Sequence, residues 1–365
     1  MHITVIGPSS GRPAAPVAAR VPLGRVDDNQ MMGLVDESTG RPLAVQVDSR
    51  GRLCWLQEAL HEGERRRYRL DIRGFLADTE RVIVREDDAA NATIHQNNRA
   101  IACYVGNADQ RPFLTPLLSP GNHEVTARPS SGPACWCGWG DVNGVDHWTD
   151  SRKAGRQIHR RFTLSVSGPV FGRLSALIDW IDAEGRPQFT EQRVYTFYHP
   201  TGGSRIVDVV SRFMMVAGPV TFGDTADGGL LAVHLADVLS SRRGAMVRNA
   251  NGEESLDDCR GSASAWCDIT GQIDDQFVGL AVLDYPGNVR FPTFWNVTPE
   301  GLIAANPFGL ASFVKDCKAS GSRTFEKDSV VMFRYRMIIH DGSRTSEDID
   351  MHSACFTKSL EIIVE

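Results

Sequence analysis

The stretch VVMFRYRMII, residues 330–339, decides the fold class. Val331, Phe333, Tyr335, Met337 and Ile339 recur at every second position, which puts them on one face of an extended strand. Val330 and Met332 make the opposite face apolar as well, so burial on both sides between stacked sheets is expected. The same alternation runs through residues 161–167, 193–198, 229–235 and 277–283, with Gly and Pro punctuating the intervals. Residues 43–47 and 53–56, joined by turn residues 48–51, read as a hairpin. A short helix is predicted over residues 309–318, where Leu310, Phe313 and Val314 recur at helical spacing. No repeat of fixed period is present, which argues against a propeller or solenoid.

A chain of 365 residues exceeds one average domain. The polar run EDDAANATIHQNN, residues 86–98, reads as a loop or boundary, so a small N-terminal β-domain is expected over residues 1–85 and a larger all-β domain over 86–365. The net charge of −6 and a pI near 5.9 give no bulk attraction to nucleic acid or an anionic membrane. A small neutral or weakly charged ligand fits better. Residues 1–13 lack a charged n-region and apolar h-region, and nothing further on reaches the ~18 apolar residues of a spanning helix, so a cytoplasmic location is expected. Eight cysteines in so long a chain do not make a disulfide framework; reduced, mostly buried thiols are expected. The run Arg65-Arg66-Arg67 reads as a solvated face.

Four blocks concentrate Gly, Asn, Asp, His and Trp, a mixture suited to loop sites: residues 135–148, 197–213, 218–229 and 283–309. Gly138-Trp139-Gly140 with VNGVD at 142–146, GPVTFGDT at 218–225, the Asp284-x-Pro286-x-Asn288-x-Arg290 run and AANPFG at 304–309 occur in that order, with Trp266-Cys267-Asp268 in between. This series resembles the bacterial domain family labelled methane oxygenase PmoA-like, over roughly residues 100–345. The label borrows from a membrane-bound copper enzyme, which needs a bundle of apolar helices that this sequence lacks. The resemblance implies a galactose-mutarotase-like architecture: an all-β, antiparallel supersandwich-like main domain with a concave carbohydrate site. The chain departs from the family where a His-Pro-His-His cluster is expected ahead of the Gly-Trp-Gly block. Here it reads Pro129-Ser130-Ser131-Gly132, which puts any chemistry of that cluster in doubt.

The residue types in these blocks suit a sugar. Trp136, Trp139, Trp148, Trp266 and Trp295 offer flat apolar rings beside polar groups, matching the faces and hydroxyl rim of a pyranose; the competing reading is packing. His199, at a strand end before Pro200, is a candidate proton donor or acceptor with Glu191, while Asp224 and Asp268 are second acid–base or orienting groups. His123, His147, Asp141, Asp146, Asp227 and Asp284 are further titratable groups in or near the blocks. Asn143, Asn288, Arg290 and Asn306 are candidates for holding hydroxyl or carbonyl oxygens. Cys135 and Cys137 share a face but lack a second ligand pair, so no metal site is expected. Dinucleotide, Walker and nucleophile-elbow motifs are missing, so no nucleotide cofactor and no serine triad are expected.

The expected function is a carbohydrate-active enzyme, an epimerase, lyase or hydrolase. It would act by acid–base chemistry on a sugar, glycoside or keto-sugar, without a cofactor and in functional partnership with a sugar dehydrogenase. The alternative is a non-catalytic carbohydrate-binding or accessory protein. Neither reading calls for a nucleic-acid or membrane partner.

Overall fold

The computed structural model describes residues 1–22, 32–71, 80–127, 133–315 and 318–365. Three antiparallel sheets account for most of it. The third sheet is the largest in span, because its strands carry the longest alternating runs. Its order is Arg156–Val166, Phe171–Ile181, Pro187–Tyr198, Ser204–Met214, Val330–Asp341, Gln276–Asp284, Trp266–Ile273 and Met246–Asn249. The second sheet also has eight strands: Phe294–Val297, Leu302–Asn306, Gly228–His234, Cys135–Trp139, Phe113–Leu114, Arg99–Val105, Ala92–Gln96 and Val82–Glu86. These two sheets bury a shared core, in which Cys135, Leu231, Val233 and Ile303 of the second sheet join Leu174, Phe197, Phe333 and Met337 of the third. The architecture is an all-β antiparallel sandwich with a smaller β-sheet at the N-terminal side.

Val330–Asp341 shows how the pattern works. Val331, Phe333, Tyr335, Met337 and Ile339 are all buried in the sandwich core, each contributing on the order of 2 kcal/mol by leaving water. The expected burial of the other face holds only in part. Val330 is half exposed, whereas Ile338 is covered, because the helix Ser346–Thr357 lies over that end of the sheet and packs Ile349 against it. The helix starts with a capping box between Thr345 and Asp348. The sequence pattern did not announce it, since Ile349 and His352 are its buried residues. The predicted helix at 309–318 is a single turn, Leu310–Phe313, ended by extended Val314; residues 316 and 317 lie outside the described residues.

The first sheet has seven strands, in the order Ala15–Ala19, Leu53–Gln57, Pro42–Val47, Gly33–Asp36, Arg65–Asp71, His2–Ile6 and Glu361–Val364. Its core includes Ile3, Val5, Leu34, Trp55 and Tyr68. Arg66 within it pairs with Glu58 and Glu64 on the surface. The 85/86 division expected from sequence falls inside the strand Val82–Glu86, which pairs with Ala92–Gln96 in the second sheet. The last strand of the chain, Glu361–Val364, pairs with His2–Ile6 in the first. The polar run at 86–98 is therefore not a loop throughout: Ala92, Ile94 and Gln96 alternate inward, and Asn97 and Asn98 take positive φ to turn the hairpin into Arg99–Val105. Small and polar inward residues had concealed the strand.

Candidate functional site

The outer face of the second sheet carries the most developed site. Alternation along Cys135–Trp139 sends Cys135 and Cys137 into the core and turns Trp136 outward. Along Gly228–His234, Leu231 and Val233 point inward, leaving Ala232 and His234 on the outer face; along Leu302–Asn306, Leu302 and Ala304 do the same. Register aligns Trp136 with Ala232, Ala232 with Ala304, and His234 with Leu302. The two alanines are short and fully buried, and Trp136 packs with them and with Phe113, Trp148 and Leu302 in a small apolar cluster on this face, beside which the groove opens.

Trp148 closes over Trp136, with ring centroids 5.2 Å apart and planes at 39°. Gly138 permits this approach, because a methyl group there would lie 3.2 Å from both indoles. The loop carrying Trp148 is fixed by Asp146, whose Oδ1 accepts from the Trp148 N–H at 2.6 Å and the Thr149 N–H at 3.1 Å. Arg111, almost fully buried, donates to the Trp148 carbonyl at 2.6 Å and the Thr149 carbonyl at 3.1 Å, and also pairs with Asp150. Burial lowers the Arg111 pKa, opposed by the charge of Asp150. The Trp136 Nε1–H is buried with no partner among the described residues, an orphaned donor on a residue that borders the groove.

Two clefts share His234 and Glu300. One, of about 350 Å³, lies against Arg111, Trp136, Trp148 and Asp150. The other, of about 520 Å³, runs past Glu124, Thr126, Asp237 and Arg242. Both volumes fall within the ~300–1,000 Å³ of small-molecule sites. The Thr298 hydroxyl and Arg242 hold the Glu300 carboxyl below its ordinary range, so it is ionised at neutral pH. The His234 imidazole lines both clefts and makes no hydrogen bond among the described residues. A half-buried imidazole between an aromatic platform and the Glu300 carboxylate can bind a polyhydroxylated molecule and exchange protons with it.

The residues singled out from sequence are not brought to one place. His199 follows the strand Pro187–Tyr198, its Nε2 3.0 Å from Glu80 and 3.2 Å from Gln96. It borders a cleft between the first sheet and the sandwich, beside Arg41 and Glu58. Asn143 bonds Gln188 near the other end of that strand, some ten residues back and roughly 30 Å away at strand rise. Glu191 is fully buried: it accepts from Arg193 at 2.7 Å, from Trp180 Nε1 at 2.9 Å and from Ser211 at 2.7 Å. Asp268, also buried, is held by Arg248 at 2.9 Å, Thr270 at 3.0 Å and His340 at 3.2 Å. Both carboxylates have their lone pairs committed to protein donors.

Several of the polar blocks meet instead as staples at the Asn143 end of the sandwich. Asp224 accepts from the backbone N–H groups of Ala311 and Gly321, and Arg290 donates to the carbonyls of Gly321 and Ser322. Asn306 donates to the Thr225 carbonyl at 2.9 Å and accepts from Gly309 at 2.8 Å; Asn288 bridges Asp284 and the Arg334 backbone. Trp139, Trp266 and Trp295 are fully buried, their Nε1–H groups donating to Gly223, Asp350 and Ser264. Of the five tryptophans, Trp136 and Trp148 reach the groove. Sequence reasoning passed over Arg111, His234 and Glu300. The outward position of His234 was legible in the alternation of its strand, but its neighbours come from remote segments, Trp148, Trp136 and Arg111 ahead of it and Glu300 beyond it.

The segment Pro129-Ser130-Ser131-Gly132 and Cys317 lie outside the described residues. The described cysteines are free. Among the described residues no group of three His, Cys, Asp or Glu is placed to hold a metal ion, and no helix is long and apolar enough to cross a membrane.

Fold and site together define an antiparallel β-sandwich protein with a polar, aromatic-lined groove on one sheet. The chain belongs to a family of unknown function, DUF6807, whose pattern matches residues 91–354. No curated protein matches it. Among solved structures, the crystal structure of the GalM/aldose epimerase homologue from C. elegans is similar over 73% of this chain and 100% of that one, at 7% identity and a TM-score of 0.28. A likeness that slight bears no weight for chemistry.

Proposed function

We propose that this protein binds a sugar or glycoside in the groove on the outer face of its second sheet and that His234 moves a proton on it, as an epimerase, lyase or hydrolase would. The observation that carries the reading is the tilted Trp136–Trp148 pair beside a rim of Arg111, Asp150, His234 and Glu300. An aromatic face suits the apolar side of a pyranose, and the alternating donors and acceptors suit its hydroxyls. The resemblance of the ordered sequence blocks to the PmoA-like family, and through it to mutarotase-like proteins, supports the same substrate class. A keto-sugar supplied by a dehydrogenase in the cytoplasm would suit proton transfer next to a carbonyl. A second reading, a carbohydrate-binding protein without turnover, draws support from Glu191 and Asp268, whose ion pairs remove them from acid–base work.

Titration of tryptophan fluorescence with a panel of neutral and keto-sugars tests binding, and deuterium uptake from D₂O into the bound sugar tests proton transfer without knowledge of the product. Trp148→Ala is expected to weaken binding at least about tenfold, since an aromatic contact and its area are lost. His234→Asn is expected to cut deuterium uptake by about 10²–10⁴ while binding persists. Unchanged sugar affinity in Trp148→Ala would refute the groove as the site; binding without deuterium uptake in the wild type would remove the epimerase and lyase readings, and binding with neither deuterium uptake nor cleavage of a glycoside would leave the binding-protein reading standing.

A further inference from the structure

A second polar cluster lies far from the groove, where the first sheet meets the outer face of the third sheet and the Ser346–Thr357 helix. It is built from four basic groups of separate origin. Arg12 stands on a backbone locked to Leu60 by paired hydrogen bonds of 2.8 and 2.9 Å; its guanidinium donates to the Pro16 carbonyl at 3.2 Å. Arg336 projects from Val330–Asp341 and clasps Asp208 with its Nε and one terminal nitrogen, at 2.6 and 2.9 Å. Arg344 immediately precedes the cap of the helix and reaches the Gly202 carbonyl at 2.6 Å and the Ser204 hydroxyl at 3.0 Å. His352 comes from the helix itself.

These segments touch one another. A methyl group added at Gly202 would lie 3.2 Å from Ala14, so the Arg12 loop and the turn gripped by Arg344 are neighbours. The Arg336 guanidinium sits 4.7 Å from the ring centre of Phe356, which ties it to the helix. Electrostatics agree: burial depresses the Arg12 guanidinium, and the charge of Arg336 adds to the effect. Burial, with the charges of Arg344 and Arg336, lowers His352 to about 3.

Every one of the four keeps a buried nitrogen without a hydrogen-bond partner among the described residues: Arg12 Nε, the second terminal nitrogen of Arg336, Arg344 Nε and His352 Nδ1. Arg12, Arg336 and His352 are each less than a tenth exposed. The charges do not balance either. Of the three guanidinium groups Arg336 pairs with the Asp208 carboxylate, which also accepts from the Tyr198 hydroxyl, while the hydrogen bonds of Arg12 and Arg344 go to neutral oxygens. Asp348 closes the helix cap and its charge offsets part of the excess at His352, and burial pushes the Cys355 thiol up, keeping it neutral. Buried donors are almost always satisfied, and unpaired buried cations are strongly unfavourable. Water could fill the bonds but not the charge.

We propose that this cluster is a binding site for a small inorganic oxyanion of the phosphate or sulfate class, held between Arg12 of the first sheet and Arg336, Arg344 and His352 of the sandwich and helix. The ion supplies the missing acceptors and the missing negative charge, and it fastens the N-terminal sheet to the rest of the molecule. Guanidinium groups are suited to this geometry because their planar donors match oxyanion oxygens. The site is independent of the sugar reading.

The test uses the full chain dialysed into a gluconate buffer, with phosphate, sulfate or chloride added at constant ionic strength. The wild type is expected to show a saturable rise in Tm in the low millimolar range with phosphate or sulfate, and calorimetry is expected to give one site per chain. Arg12→Gln and Arg344→Gln are each expected to abolish the saturable component. Their anion-free Tm should equal or exceed that of the wild type, because each removes a repelling charge from the cluster. Should either variant fail to fold, the wild-type calorimetry decides alone. Absence of a saturable response in the wild type, its persistence in both variants, or an equal response to chloride would overturn the assignment.

Discussion

Asp284 shows how far a residue's environment can displace its chemistry. It sits in the family-like run Asp284 to Arg290, buried, accepting from the Asn288 side chain at 2.7 Å and the Thr293 backbone at 2.9 Å. Burial dominates these bonds and pushes its carboxyl up to about 7. A carboxyl whose folded pKa lies above its unfolded value of 3.8 stabilises the fold fully below about pH 4 and loses that contribution as pH rises to about 7. Each pH unit across the window is worth up to about 1.4 kcal/mol. Urea unfolding of wild type and Asp284→Asn at pH 5 and pH 8 is expected to show the wild type losing stability relative to the variant at the higher pH; parallel curves would contradict it. Residue identity was legible here but its state was not, because desolvation depends on what packs around the side chain. The same holds for Glu191 and Asp268, which look like free acids in the sequence and are locked ion pairs in the fold.

At the scale of elements, the long alternating strands were readable because each has one apolar face of large side chains. Ala92–Gln96 was not, since its inward residues are Ala92, Ile94 and Gln96. Nor was the Ser346–Thr357 helix, whose burial is confined to a narrow stripe, although its Thr345-x-x-Asp348 start carries the capping signal. That helix covers Trp266 and Ile338 on the third sheet, and its Asp350 accepts from Trp266 at 2.7 Å. Thr345→Ala removes the side-chain acceptor of the capping box and is expected to cost about 1 kcal/mol in urea unfolding. A change within error of zero would mean that tertiary packing alone holds the helix start.

At the scale of the whole fold, Glu361–Val364 pairs with His2–Ile6 and forms an edge strand of the first sheet. Deleting residues 359–365 is expected to expose His2–Ile6 as a bare edge, and hydrogen exchange should then show loss of protection in His2–Ile6 and Arg65–Asp71 while Val330–Asp341 stays protected. Uniform loss across all sheets would instead make the molecule one cooperative unit. By itself the sequence determined that this protein is built of alternating β-strands separated by Gly- and Asn-bearing turns, because two-residue periodicity and turn chemistry are local properties of the chain; that its tryptophans, Trp148 apart, sit on strands was not legible. Only the tertiary structure decided which polar residues are staples and which face solvent, and it alone assembled Trp136, Trp148, Arg111, His234 and Glu300 into one groove. Antiparallel register joins strands remote in sequence, and the space between their side chains is not a property of any one segment.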